Sequence, residues 1–430
     1  TDAQLMPDSP RSRWVPDMDR GSLRLLLVLS IVSLSNSMDR FVFSVLVEPI
    51  RLDLELSDTA MGLLSGLAFT AFFALFGIPI ARWADRGHRI KLLSGVVALW
   101  SLATAAGGAA QNFAQMFLCR AGVGIGESGC WPISHSLLAD RFPPTQRAFA
   151  LGTFQAGGGI GVLLGLLFAG LIADALGWRW TFVVIGLPGL LLALLVRVAL
   201  KEPRDFSSVT PTGSGTLAAT WASVSGLLAL RSYRHILASY VLTAAGIFGM
   251  IQWLPAFLMR SHDLTLSQVG LWYGLVFGTG AVLGLLVGAV LAPRWVARDR
   301  RWEFWLTALA YLLSVPLFAS LLLVPHTGLA FVLIFLSIFV STSGQGPLMA
   351  GIQTIAGGEA RAMAIALALT ASVVGQTIGP FLIGWFSDAW QPRMGTDSLR
   401  YAMLVPLALL TWGVLHLYMA AGSLLEDSRD

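Results

Sequence analysis

Residues 147–174, RAFALGTFQAGGGIGVLLGLLFAGLIAD, return at residues 361–388 as RAMAIALALTASVVGQTIGPFLIGWFSD. An offset of 214 lays Arg147, Ala148, Gly161, Gly165, Gly170 and Asp174 on Arg361, Ala362, Gly375, Gly379, Gly384 and Asp388 without a gap. Small residues match by chance in apolar sequence, but an Arg and an Asp at fixed separation are harder to dismiss. A second echo pairs Leu56-Ser57, Gly62 and Gly66 with Leu266-Ser267, Gly270 and Gly274. The chain therefore reads as two related halves, and parallel halves around one membrane-normal axis are a transporter design.

Working outward, the composition agrees. Of 430 residues, 56% are hydrophobic and 12% charged, and the mean hydropathy is +0.73. Soluble domains carry about 25% charged residues, so a soluble enzyme is excluded. A spanning helix takes about 20 apolar residues, and twelve would use a little over half the chain. Membrane strands alternate polar and apolar residues, whereas Leu23–Leu34, Leu187–Val198 and Phe331–Val340 are apolar runs. The expected fold is an all-α membrane protein of twelve transmembrane helices in two six-helix, pseudo-symmetric halves.

Charge, Pro and Gly punctuate helices near 23–48, 59–83, 91–110, 113–139, 146–174 and 179–200, then 235–260, 267–293, 303–325, 328–356, 360–389 and 399–421. The expected organisation is a tail (1–22), a first half (23–200), a linker (201–234), a second half (235–421) and a tail (422–430). With the N terminus in the cytoplasm, that side holds 21 Lys and Arg residues against five opposite, with Arg40 and Arg120 inside apolar runs. The positive-inside rule then places both termini in the cytoplasm. The first apolar run has no cleavage signature and reads as a spanning helix. A net charge of +4 has no soluble domain on which to form a nucleic-acid-binding patch. Cys119 and Cys130 are too far apart along a helix to bridge, and the six histidines lack ligand spacing. No metal and no cofactor are expected.

A charge at mid-bilayer costs at least about 2.5 kcal/mol and usually marks a function. The first half offers Asn36, Asp39, Arg40, Arg120 and Glu127. The second half offers Gln252, Trp253, Tyr273, Gln345, Gln353 and Gln376 instead, so a central cavity would be electrostatically lopsided. Asn36, Asp39 and Phe43 share one helix face. Arg120 and Glu127, seven residues apart, share another, about 10 Å apart along the axis, with Gly124 between them. Asp39 and Glu127 are the candidate proton carriers, with Arg40 and Arg120 as counter-charges; the alternative is a static ion-pair network. Phe69, Phe72, Phe73, Phe76 and Phe248 could line a cavity for an apolar tail, or simply pack. The Gly strings at 122–126 and 157–161 follow no strand and carry no Lys-Ser/Thr; they read as close helix packing.

In the loop Ala81–Arg89, positive charge serves topology, but Asp85 does not. An acid can face the N-terminal dipole of another helix. Asp85, with Arg86, Arg89, Arg147 and Arg361, is the expected cytoplasmic gate, made in one conformation and broken in the other.

These features resemble the major facilitator superfamily over about residues 24–421, through the loop at Asp85, Arg120-Ala-Gly-Val-Gly-Ile-Gly126 and Gly177-Trp-Arg-Trp180. In the loop, Ala81, Trp83, His88 and Ile90 depart from the usual pattern, and Gly158-Gly159 stands where antiporters carry Gly-Pro. A narrower resemblance is to the spinster branch, through Ser37-Met38-Asp39-Arg40, Val45–Ile50, Leu56–Thr59, Ala81–Gly87, Arg120–Cys130 ending in Glu127-Ser-Gly-Cys, Phe142-Pro-Pro144 and Arg147. That resemblance implies proton-linked transport of a sphingolipid- or lysolipid-like amphipathic molecule, with Asp39, Arg40, Arg120 and Glu127 as site and coupling residues. The expected partners are membrane lipids, protons and a small amphipathic substrate, not nucleic acid, and a monomer is expected. Short loops, the lack of glycosylation sequons and Arg in place of Lys point to a bacterial inner membrane. The alternative function is a proton-coupled carrier of sugar acids or other small organic anions, with Arg120 and the glutamines clamping a carboxylate. An enzyme or receptor would need a nucleophile–base pair, a metal cluster or a sensory domain.

Overall fold

The computed structural model describes residues 18–202, 224–355 and 357–427, without the side chains at 354, 357–362 and 425–426. The Arg361 side chain and residues 203–223 of the expected linker lie outside the described residues. Among the described residues every regular element is helical. The first half holds α1 (Arg20–Asp53), α2 (Asp58–Ser65), α3 (Leu67–Arg86), α4 (Arg89–Gly107), α5 (Phe113–Glu127), α6 (Cys130–Arg141), α7 (Pro144–Leu176) and α8 (Trp178–Ala199). The second holds α9 (Arg231–His262), α10 (Leu266–Val296), α11 (Trp302–Leu323), α12 (Thr327–Ser343), α13 (Gln345–Ile355), α14 (Gly357–Met394), α15 (Ser398–Ala402) and α16 (Val405–Asp427).

Among the described residues ten stretches are long and apolar enough to cross a membrane, and the last of them, 363–424, contains two long helices, α14 and α16, joined through the short α15. The other departure from twelve is α5–α6, which breaks at Ser128-Gly129 into pieces of 15 and 12 residues. The charges of the candidate site lie beside that break. The starts of α1 and α9 and the end of α16 share one end of the bundle, where the Ser232 amide donates to Asp427 Oδ2 at 2.7 Å. We call this the terminal end and its opposite the distal end.

The internal repeat now has a packing meaning. Gly161 of α7 lies against the Leu34 carbonyl of α1, and its copy Gly375 of α14 lies against the Val241 carbonyl of α9. Gly170 lies against the start of α10 in the other half, and its copy Gly384 lies against the start of α2. Each copy therefore packs on the first helix of its own half and crosses to the second helix of the other. Backbones meet closely because no side chain intervenes, as in membrane helix pairs generally. A Cβ on Gly62 would lie 2.5 Å from the Pro380 carbonyl oxygen. Overpacking costs about 1–3 kcal/mol, so Gly62→Val should lower the unfolding midpoint in detergent by about 1–3 °C. Gly77→Val, on α3 where no neighbour lies within 4 Å, should leave it unchanged.

Candidate functional site

The buried charges of the first half converge. Arg40 of α1 donates to Glu127 Oε2 through Nη2 at 3.0 Å and Nε at 3.2 Å. Glu127 is fully buried, whereas the Arg40 side chain is 27% exposed, so the pair is dry on one side and reachable on the other. Arg120 is buried and stacks on Phe43, with its guanidinium carbon 4.3 Å from the ring centroid. Phe69 separates the two cations, 5.0 Å from Arg40 and 5.1 Å from Arg120. Such cation–π contacts suit Arg in apolar surroundings. Phe73 lies 5.1 Å from Arg40. Asp39 is buried beside Trp100 and Thr104 of α4 and feels the charges of Glu127 and Arg120. Gly124 admits this arrangement, because the Phe69–Phe73 backbone of α3 passes where its side chain would be.

The remaining expected residues divide. Asn36 is buried beside Glu127. Phe72 packs edge-on against Phe117. Gln345 and Gln376 line a cavity of about 270 Å³ in the second half with Tyr240, Phe248, Tyr311 and Met349. Its lining bears amides and hydroxyls and no charge. Trp253 and Tyr273 are buried and bonded to backbone, Trp253 Nε1 to the Pro380 carbonyl at 3.0 Å and Tyr273 Oη to the Ile251 carbonyl at 3.1 Å. Gln252 is also buried, and Gln353 is exposed.

Of the expected gate residues, Arg361 lies outside the described side chains. Asp85, Arg86 and Arg147 are exposed, and Arg147 Nε donates to the Phe142 carbonyl at 3.0 Å. Arg89 is fully buried inside the first half, held by Asp140 at 2.7 Å and Glu202 at 2.7 Å. Removing one partner of a buried ion pair costs about 3–5 kcal/mol, and the low end applies here because Asp140 and Ser136 still hold Arg89 without Glu202. Glu202→Ala should therefore lower the unfolding midpoint by about 3 °C, and differential scanning fluorimetry in detergent reads this directly.

Sequence reasoning missed the charge cluster at the distal end. Arg260 of α9 crosses to the first half and meets Glu48 Oε2 at 2.6 Å and Asp58 Oδ1 at 2.7 Å. Arg51 meets Glu48 at 2.7 Å, and Ser387 donates to Asp58 at 2.6 Å. Asp388 accepts from the backbone amides of Asp58 at 3.0 Å and Thr59 at 2.7 Å, at the start of α2. Its repeat partner Asp174 accepts from the Ser267 amide at 3.2 Å, at the start of α10. Each half thus supplies one carboxylate to a helix N terminus of the other, where free amides and the dipole favour an anion. The signal was present as the repeated Asp174 and Asp388, though spacing alone did not show what they face.

Comparison with known proteins follows the same lines. Residues 29–360 match the family model of the Major Facilitator Superfamily. An MFS-type efflux pump of Mycolicibacterium smegmatis is 36% identical over 383 residues, covering 89% of this chain and 88% of that protein. The sphingosine-1-phosphate transporter SPNS2 of Danio rerio is 26% identical over 435 residues, covering 94% and 84%. A bacterial homologue of the human lysosomal transporter Spinster, solved inward-facing and unoccupied, superposes with a TM-score of 0.85 at 26% identity, covering 96% of this chain and 99% of that one.

Proposed function

Because the chain belongs to the major facilitator superfamily, we propose that it is a proton-coupled transporter moving an amphipathic, lipid-like molecule by alternating access. The observation that carries this reading is the Arg40–Glu127 pair, closed on one oxygen in a dry site and open on the Arg40 side. Protonating Glu127 removes the charge that holds Arg40. The guanidinium is then free for an anionic headgroup, while Phe69 and Phe73 offer an apolar wall beside it. The headgroup dissociates, and loss of the proton then recaptures Arg40 and prevents rebinding. The neutral second half takes the remainder of the molecule without a competing charge.

The distal contacts and the likeness to an inward-facing homologue support reading this arrangement as open toward the terminal end, the cytoplasmic side by charge count. The positive-inside asymmetry supports cytoplasmic termini, and the bacterial relatives support a plasma-membrane location. Asp85 and the start of α14 form the cytoplasmic latch, made in one of the two states and broken in the other.

A competition assay in proteoliposomes tests the substrate class. A long-chain lysolipid should reduce uptake of a labelled lysolipid at least tenfold, and a hydrophilic sugar acid should not. Competition by the sugar acid alone would replace this reading with a carrier of small organic anions.

A further inference from the structure

Tyr240 of α9, Tyr311 of α11, Gln345 of α13 and Gln376 of α14 approach the cavity of about 270 Å³ in the second half from four different helices. Tyr311 is 6% exposed, Tyr240 and Gln376 are half-buried, and Gln345 is exposed. Among the described residues, neither phenol hydroxyl nor the Gln345 amide has a hydrogen-bond partner. Gln376 Nε2 donates to Ser372 Oγ at 3.1 Å, which leaves the side-chain carbonyl of Gln376 without a donor among those residues. Ile247, Phe248 and Leu348 share the lining.

This cavity adjoins the charged site across the two halves. Thr377, next to Gln376 in the chain, meets the Thr70 hydroxyl of α3. Thr70 follows Phe69, whose ring lies 5.0 Å from the Arg40 guanidinium. A molecule anchored at Arg40 therefore has the second-half cavity beside it.

The lining selects what enters. Solvent can satisfy the phenols and amides of an open cavity. A plain alkyl chain would displace that solvent and leave several polar groups unmade, which costs more than one formed bond returns. An ionised group would find no counter-charge there. A hydroxyl suits the set, because it donates to an amide carbonyl and accepts from a phenol at once. A few convergent polar groups in an otherwise apolar lining are how small-molecule pockets fix orientation.

We propose that this cavity is a specificity subsite for an uncharged hydroxyl on the aliphatic portion of the substrate, with Tyr240, Tyr311, Gln345 and Gln376 as its hydrogen-bonding groups. The subsite rests on the transport reading above and narrows its substrate class to amphipathic anions whose chain is hydroxylated.

Binding to the full chain in lipid nanodiscs tests this. The probes are long-chain lysophosphatidic acids of one length, either plain or carrying a single hydroxyl at successive positions along the chain. At the best position the hydroxylated probe should bind about tenfold more tightly than the plain one. Tyr311→Phe and Tyr240→Phe keep the rings and remove the hydroxyls, and each should reduce that preference. Neither should lower the unfolding midpoint, because the hydroxyls hold nothing within the described protein. Equal binding of plain and hydroxylated probes at every position would overturn the subsite and leave the lipid reading standing. So would an undiminished preference in both variants, or a lowered midpoint in both, which would give the phenols a structural role. Binding of no probe by the wild type would overturn the lipid reading and the subsite with it.

Discussion

Glu127→Gln is expected to lower proton-driven uptake about 100-fold, equivalent to about 2.7 kcal/mol in the barrier, and to flatten its pH profile. Substrate counterflow, which needs no net proton movement, should stay within a few-fold of wild type. The amide keeps the shape of the carboxyl but cannot gain or lose a proton, so Arg40 is never recaptured and released in a cycle. The fold should survive. Breaking a fully buried ion pair costs about 3–5 kcal/mol. Arg40 is 27% exposed and rests on Phe69 and Phe73, so it can be hydrated, and the cost here should be about 1–2 kcal/mol. Uptake measured across a series of imposed pH gradients, beside counterflow on the same vesicles, separates coupling from folding.

The second large effect belongs to the distal cluster. Arg260→Ala should move the conformational equilibrium about 100-fold toward the distal-open state. The Arg260 side chain is 15% exposed and its partners Glu48 and Asp58 are 8% and 7% exposed, so the pair is largely desolvated. Its loss leaves Glu48 and Asp58 with Arg51 as their only cation among the described residues, at a cost of about 3 kcal/mol, or two decades in a two-state equilibrium. That cost falls on the closed arrangement, because opening lets the acids hydrate. Spin labels at Leu52 and Gln391, both exposed near the distal end, would report the change as a longer distance distribution by pulsed electron resonance. An unchanged distribution would show that the glycine seams and the two helix caps hold the distal end without Arg260.

Much of this architecture was legible in the sequence, for a physical reason. The lipid solvent forces long apolar helices, and the duplicated segment carries its contacts with it. The glycines of the repeat meet equivalent backbones in both halves, and the repeated acid caps equivalent helix starts. The charges of α1 and α5 were legible because a charge among apolar residues is conspicuous. Less could be read from the sequence at the helix ends. Glu48, Asp58 and Arg260 resemble ordinary boundary charges, and only the packing of one half against the other makes them a cluster. The breaks at Gly66 and at Ser128-Gly129 were also hidden, since hydropathy continues through both. An acid facing the N terminus of a partner helix, the arrangement expected of Asp85, is seen at the distal end for Asp174 and Asp388.

The central claim is that one buried carboxylate couples proton movement to the passage of an amphipathic molecule. It is met most directly by recording the internal pH of proteoliposomes while a lysolipid gradient is the only driving force. The account predicts a proton flux that follows the gradient in wild type and is absent in Glu127→Gln. A lysolipid gradient that moves lipid without protons in wild type, or an equal proton flux in the variant, would contradict it.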